Sequence, residues 1–323
     1  MIGQQRGEVQ YVQFAQYLQF PEIIHGSFTR LGGYSKTPYW GLNVSFSIGD
    51  EFENVIRNRL QALSALHIQD YPCATLWLIH GADVATLNGD GWDDWRFDWP
   101  HRSYLVDSQE LIWTVKPRRK ADAIITKQRG VALALSSADC VPVMYYDPVH
   151  EVIGMAHAGW RGTARGIAAA TVEAMHEQFD SQPRDIYAGI GPSIGPCCYE
   201  VSEEVRELFY SKQQFAELPT AEKYRNLVRE SAVFDVGARL IAPSSVQDSA
   251  LSHVGTRLIA SETRPHLDLW ETNRSQLLMA GLLPEHIELP GICTNCEKER
   301  FFSYRGEHGK TGRFPSILAL RKE

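Results

Sequence analysis

The segment 130–166 limits most what this chain can fold into. Val131-Ala132-Leu133-Ala134-Leu135 is a short apolar run closed by Ser136 and Ser137, and Val143-Met144-Tyr145-Tyr146 is a second. Each has the length of a buried strand rather than a helix. Asp147-Pro148 carries turn chemistry, with proline presetting φ for the bend, so 151–156 returns as the second arm of a hairpin. From Thr163 an alanine-rich segment predicts a helix through about Gln178. Asp139, Cys140 and His157 therefore fall near strand ends, with a helix starting just beyond His157. Strand ends and helix N-termini are where α/β proteins place chemistry.

Cys140 and His157 are both metal-ligand types, since zinc is held by thiolate and imidazole. Their separation matches no finger or ribbon, so the pair also reads as a buried thiol beside a satisfied histidine. Asp139 moves the balance toward function, because a carboxylate next to a thiol suits a supporting or acid–base role. A strand predicted over 74–79 ends at His80-Gly81-Ala82-Asp83, which makes His80 a third candidate ligand.

The rest of the chain alternates strand and helix signals. Strands are predicted over 22–30, 185–190, 287–292, 301–305 and 313–320. Helices are predicted over 54–67, 201–210 and 269–280, with Gly281 as the stop. The fold class is α/β with layered packing. Residues 89–119 carry several tryptophans and Pro100 and read as an ordered excursion, because their aromatic content is too high for a disordered linker. Residues 211–263 are polar and hold no motif.

Composition excludes some function classes. A 323-residue chain with 44% apolar and 22% charged residues supports a soluble globular core, and a net charge of −7 argues against nucleic-acid binding. There is no apolar run of roughly 18 residues, so no membrane span is expected. The first 20 residues lack a signal-peptide pattern. Six cysteines in a chain this long, two of them adjacent, fit reduced thiols in a cytoplasm better than a disulfide framework.

Other motifs are weighed on their context. Cys293-x-x-Cys296 could be a redox pair or half a zinc site, which Cys197 and Cys198 could complete. Gly191-Pro192-Ser193-Ile194-Gly195 fits a nucleophile elbow by pattern, but Pro196 and two cysteines extend the loop where a helix should begin, so a tight turn is the better reading. Gly309-Lys310-Thr311 lacks the earlier glycine of a phosphate loop. Arg30, Arg161, Arg305 and Arg313 flank glycine-bearing turns; surface ion pairs are the default, and anion capture is the alternative.

Taken together, Thr29-Arg30-x-Gly32-Gly33, His80-Gly81-x-Asp83-Val84, Ala138-Asp139-Cys140-x-Pro142, His157-Ala158-Gly159-Trp160-Arg161-Gly162, the 191–201 loop, and Phe301-Phe302-Ser303-Tyr304-Arg305 with Thr311-Gly312-Arg313 resemble one family. It is the laccase-domain family, long labelled multicopper polyphenol oxidases and associated with purine nucleoside phosphorylase and adenosine deaminase activity. The resemblance implies one α/β/α sandwich domain with a mixed sheet over 1–323, with insertions near 89–119 and 211–263. It implies a metal held by His80, Cys140 and His157, zinc first and copper as the alternative, with one coordination position left open. Asp139, Cys140 and His157 become the catalytic candidates, and Arg30, Asn43, Arg161, Arg305 and Arg313 the substrate-binding ones. The implied substrates are phosphate and purine nucleosides, namely inosine, adenosine and methylthioadenosine; the oligomeric state stays open. Leu78 and Gly306 stand where the family commonly has glutamine and arginine, which bears on substrate contacts and not on the ligands. Competing readings are a copper polyphenol oxidase, a hydrolase editing peptidoglycan precursors with Cys140 as nucleophile, and a non-catalytic metal-binding protein. Against a multicopper centre, none of the 11 histidines stands in a His-x-His arrangement.

Overall fold

In the computed structural model, which describes residues 1–87, 104–106, 109–111, 119–210, 233–235 and 264–322, two six-stranded sheets lie face to face. In chain order the strands are β1 (Ile2–Arg6), β2 (Val9–Gln13), β3 (Ile23–Phe28), β4 (Cys73–Ala74), β5 (Val84–Thr86), β6 (Tyr104–Val106), β7 (Gln109–Leu111) and β8 (Ala123–Thr126). They continue as β9 (Ala132–Ser137), β10 (Val141–Asp147), β11 (Val152–Ala158), β12 (Tyr187–Ile190), β13 (Val233–Asp235), β14 (Pro265–Leu267), β15 (Ile287–Glu288) and β16 (Phe314–Leu320). One sheet runs β1-β2-β3-β16-β9-β4 and the other β15-β12-β10-β11-β8-β5. The pairs β4–β9, β5–β8 and β12–β15 are parallel and the remaining pairs in both sheets antiparallel, so both sheets are mixed.

Why the central strands read as unbroken apolar runs is visible in the side-chain alternation. Leu133, Leu135, Leu318 and Leu320 meet Met144, Tyr146, Ile153 and Met155 between the sheets. Alternate residues face outward to helices: Ala132, Ala134, Ile317 and Ala319 pack under α1 (Phe52–Ala65), and Val143, Tyr145, Val152 and Ala156 share a core with the helices on the other side. Strands buried on both faces have no polar side to show. The expected α/β layering is present, and the layer between the helices is made of two sheets.

The helices follow from local signals. Val55, Ile56, Leu60 and Leu63 form the buried stripe of α1. The alanine-rich segment starts as α2 (Trp160–Ala164), breaks at Gly166 (φ +83°) and resumes as α3 (Ile167–Phe179), so the single predicted helix is two. Further on come α4 (Glu203–Tyr210) and α5 (Leu269–Met279). Asp268 caps α5 by accepting the Glu271 N–H at 3.0 Å, and Gly281 (φ +102°) follows its end as expected. Among the described residues no helix is long and apolar enough to cross a membrane.

Three predicted strands come out differently. The strand predicted over 74–79 ends at Ala74 and keeps only an isolated bridge from Trp77 to Lys120, and beyond it the N–H groups of Ile79, His80 and Gly81 go to the Asp122 carboxylate. Strand 287–292 stops at Glu288, ahead of Pro290, which has no N–H to give, and Gly291 at φ +61°. Residues 301–305 are turn, not strand: Phe301 and Phe302 pack on Phe314, while the Gly309 N–H bonds back to the Tyr304 carbonyl. Most of the expected excursion 89–119 and of 211–263 lies outside the described residues.

Candidate metal centre

Strand register brings the site together at one end of the second sheet. Pro142 pairs with His157 across the β10–β11 hairpin, so Cys140, just before β10, and His157, near the end of β11, meet at its open end. On the other side of β11, Ala123 of β8 pairs with Ala156, which sets Asp122 beside His157. Val84 of β5 pairs with Ala123, and this parallel pairing carries the loop with His80 to the same edge. The ligand atoms of His80, Cys140 and His157 all lie within 4.8 Å of one another. His157 is buried, Cys140 half-buried and His80 exposed, so the cluster has one open side.

Electrostatics within the trio suit a thiolate. Burial pushes the Cys140 thiol up, but the charges and hydrogen bonds of His157 and His80 outweigh that and bring it to about 6. Burial lowers His157, and the Cys140 and Asp122 charges with their hydrogen bonds raise it to about 9. Desolvation opposes ionisation of Asp122, yet its bonds to His157 and to the Gly81 and His80 N–H groups hold its carboxyl below the usual range. Two imidazoles and a thiolate at this spacing, with one side open, fit a tetrahedral zinc that keeps a position for a reactant.

The glycines of the 157–162 motif are explained by contact. A Cβ on Gly159 would stand 3.0 Å from the Cys140 Sγ and 3.5 Å from the His80 ring, filling the space among the ligands. A Cβ on Gly162 would stand 2.9 Å from the Gly81 carbonyl, so glycine there lets α2 lie against the His80 loop. Arg165, at the end of α2, donates to the His80 carbonyl at 3.3 Å.

A second wall faces the trio. Asp139 adopts φ +84° and is buried; its carboxylate accepts from the Thr294 hydroxyl at 2.7 Å and the Arg305 N–H at 2.6 Å. Arg313 follows the same edge, because Phe314 pairs with Ser137. Burial lowers the pKa of its guanidinium, against the opposing charges of Cys140 and Asp139. Its backbone N–H is held by Asn43 Oδ1 at 2.9 Å, and its guanidinium bonds to the Thr311 and Gly312 carbonyls. Arg305 reaches the Glu200 carbonyl at 2.7 Å and lies over the Tyr199 ring. Arg161 is exposed and stacks on Trp160, within electrostatic range of Tyr199.

Comparison with known proteins decides the family. The model of the multi-copper polyphenol oxidoreductase laccase family matches residues 24–236 and 228–321. The chain belongs to this family. It is 32% identical to a purine nucleoside phosphorylase YlmD of Geobacillus stearothermophilus over 94% of this chain and 92% of that protein. It is 30% identical to a purine nucleoside phosphorylase YfiH of Escherichia coli over 91% and 92%. Among solved structures, YlmD from Geobacillus stearothermophilus superposes with a TM-score of 0.70 at 30% identity, covering 99% of each chain. A Bacillus licheniformis hypothetical protein, YfiH, gives 0.71 at 29%, covering 98% and 97%.

In this laccase-family chain the sequence-derived candidates divide into two groups. Arg305 and Arg313 lie near Asp139, Arg305 through its backbone N–H, and Arg161 lies within electrostatic range of Tyr199, as does Arg305. Arg30 is buried and otherwise engaged: its guanidinium donates to Glu307 at 2.9 Å and to the Lys298 carbonyl at 3.0 Å, and packs on Phe302. Asn43 is also buried and acts on Arg313 through the backbone. Ser193 is fully buried, with its hydroxyl taking the Trp270 N–H at 2.7 Å, and residues 191–195 are not the expected tight turn but an extended stretch bridged to Cys293, with the turn following at 196–198. Sequence reasoning missed Asp122, Tyr199 and Arg165. Asp122 left one readable trace, as a lone carboxylate leading into the apolar run 123–126.

Proposed function

We propose that the protein is a zinc-dependent purine nucleoside phosphorylase acting on inosine and adenosine, with methylthioadenosine as a further substrate and adenosine deamination as a second activity. The observation that carries this reading is the open-sided His80–Cys140–His157 trio, with Arg305 tied by its backbone N–H to Asp139 beside Cys140, and Arg313 within electrostatic range of Cys140 and Asp139. Family membership and relatives named purine nucleoside phosphorylase support it. Among the described residues the possible metal clusters are this trio and a group of four cysteines, and neither supplies the extra histidines of a multicopper centre, which speaks against a multicopper oxidase.

In phosphorolysis a phosphate oxygen bonds to C1′ of the ribose while the bond from C1′ to the purine nitrogen breaks. The purine leaves with the electron pair and takes up a proton. Arginine guanidinium groups match phosphate oxygens in geometry and stabilise charge as it shifts from phosphate to base. Arg161 and Arg305 are both exposed to solvent, and Arg313 is fixed by Asn43 and by carbonyls. The exposed ring of Tyr304, with Arg313 over it, offers a flat apolar face to a purine. Asp139 accepts one hydrogen bond at each oxygen, from the Thr294 hydroxyl and the Arg305 N–H, which fixes the orientation of its carboxylate. A zinc ion bound by the trio supplies Lewis acidity at its one open position.

The decisive experiment incubates zinc-loaded protein with inosine, with and without phosphate. Hypoxanthine and ribose 1-phosphate should form only when phosphate is present, and adenosine should yield both adenine and inosine. Protein that leaves both nucleosides unchanged while oxidising a phenol or cleaving a peptidoglycan precursor would overturn the reading.

A further inference from the structure

Four cysteines outside the trio converge on one point. Cys197 and Cys198 lie in the loop after β12, and Cys293 and Cys296 in the turn after β15. Their four Sγ atoms lie within 4.8 Å of one another, with Cys296 3.5 Å from Cys197 and 3.4 Å from Cys198. A zinc–sulfur bond of about 2.3 Å places the corners of a tetrahedron about 3.8 Å apart. A disulfide would need sulfurs at about 2.05 Å. The spacing fits thiolates around a cation and excludes a disulfide between Cys296 and either Cys197 or Cys198.

The backbone holds this convergence in place. Ser193 and Cys293 form a bridge: the Thr294 N–H bonds to the Ser193 carbonyl at 3.0 Å and the Ser193 N–H to the Ile292 carbonyl at 3.4 Å. The Gly195 N–H donates to the Cys293 sulfur at 3.1 Å, and a Cβ on Gly195 would stand 3.1 Å from the Cys293 Cβ. Cys197 and Cys296 are exposed, so an ion reaches the cluster from solvent.

We propose that Cys197, Cys198, Cys293 and Cys296 bind one zinc ion in a closed four-thiolate site, separate from the His80–Cys140–His157 trio. On binding, each thiol releases its proton to solvent and the zinc keeps its charge, so no oxidant is involved. Four protein ligands leave no open position, which makes the site structural. Its role is local: the two loops it joins both hold Asp139, through the Ile194 N–H on the Asp139 carbonyl at 3.0 Å and the Thr294 hydroxyl on its carboxylate. The ion fixes the wall opposite the trio. The inference does not depend on which reaction the trio performs.

Metal analysis tests it directly. Wild-type protein should hold about two zinc ions per chain, and a Cys140→Ser, His157→Ala double variant about one. Adding Cys296→Ser to that double variant should remove the remaining ion. Loading the double variant with cobalt should give an intense thiolate-to-cobalt absorption that Cys296→Ser abolishes. A metal-free double variant, or full retention of its ion after Cys296→Ser, would overturn the proposal. Should the triple variant not fold, thiol titration of native wild-type protein decides: Cys197 and Cys296 should resist a disulfide reagent until a chelator strips the zinc. Immediate reaction of both without zinc release, or a mass two hydrogen atoms short that marks a disulfide, also overturns it.

Discussion

The Asp122 Oδ1 lies 3.2 Å from the His157 Nδ1, and the same carboxylate receives the N–H groups of Ile79, His80 and Gly81. Because a carboxylate only accepts, it draws the imidazole proton to Nδ1 and leaves Nε2 to face Cys140. One side chain thus orients one candidate ligand and holds the loop that presents another.

Asp122→Asn should therefore weaken zinc binding at the trio by roughly 10- to 100-fold, the range seen when a partner behind a metal-bound histidine is lost. Competition against a chromophoric chelator measures it. An unchanged affinity would mean that His157 is oriented by packing alone. Asp122→Ala should also lower thermal stability, since three backbone N–H groups lose their acceptor.

Gly159→Ala separates steric room from fold. Gly159 has φ −67° and ψ 168°, which alanine adopts without strain, so the backbone tolerates the change. The added methyl group would stand 3.0 Å from the Cys140 Sγ. Zinc affinity at the trio should fall by about tenfold or more, about 1.4 kcal/mol per factor of ten, with the melting temperature of metal-free protein unchanged. Equal loss of both would place the role of Gly159 in the fold instead.

How much of this was legible in the sequence differs by element. Cys140 and His157 could be placed because the hairpin register follows from two apolar runs and a turn. His80 could be named, but its strand could not be drawn correctly, since the carboxylate that takes its loop's N–H groups comes from a distant segment. The two-sheet core left no local trace: strands buried against a second sheet and strands buried against helices carry the same apolar runs. Cys198 and Cys296, 98 residues apart, show no ligand spacing of their own. Arg30 resembled the other strand-end arginines in sequence, and its buried contacts with Glu307 and the Lys298 carbonyl, both distant in the chain, separate it from them.

Arg161→Ala should raise the KM for phosphate, by roughly 10- to 100-fold if one charged hydrogen bond worth about 1.5–3 kcal/mol is lost. Deamination of adenosine consumes no phosphate and should keep its rate. Parallel assays of adenine and inosine release from adenosine provide the comparison. Equal loss in both channels would place Arg161 on the nucleoside rather than on the anion.

Away from the site, His25 sets a pH dependence of stability. Its ring is buried against Phe14 and Tyr17, and its Nε2 accepts the Phe14 N–H at 2.8 Å, a bond available only to the neutral ring. Burial depresses its pKa to about 4, against the opposing pull of the Glu288 carboxylate. In the unfolded chain the ring titrates near 6.5. Folding is then helped in full above about pH 6.5, and the contribution is lost as pH falls from about 6.5 toward about 4, because the unfolded chain binds the proton first. The loss amounts to about 3 kcal/mol over that window. His25→Gln keeps an acceptor for the Phe14 N–H and cannot titrate. Urea midpoints measured at about pH 7 and about pH 5 should therefore drop more for wild-type protein than for the variant. Parallel drops would show that His25 takes up its proton in the fold as readily as in the open chain.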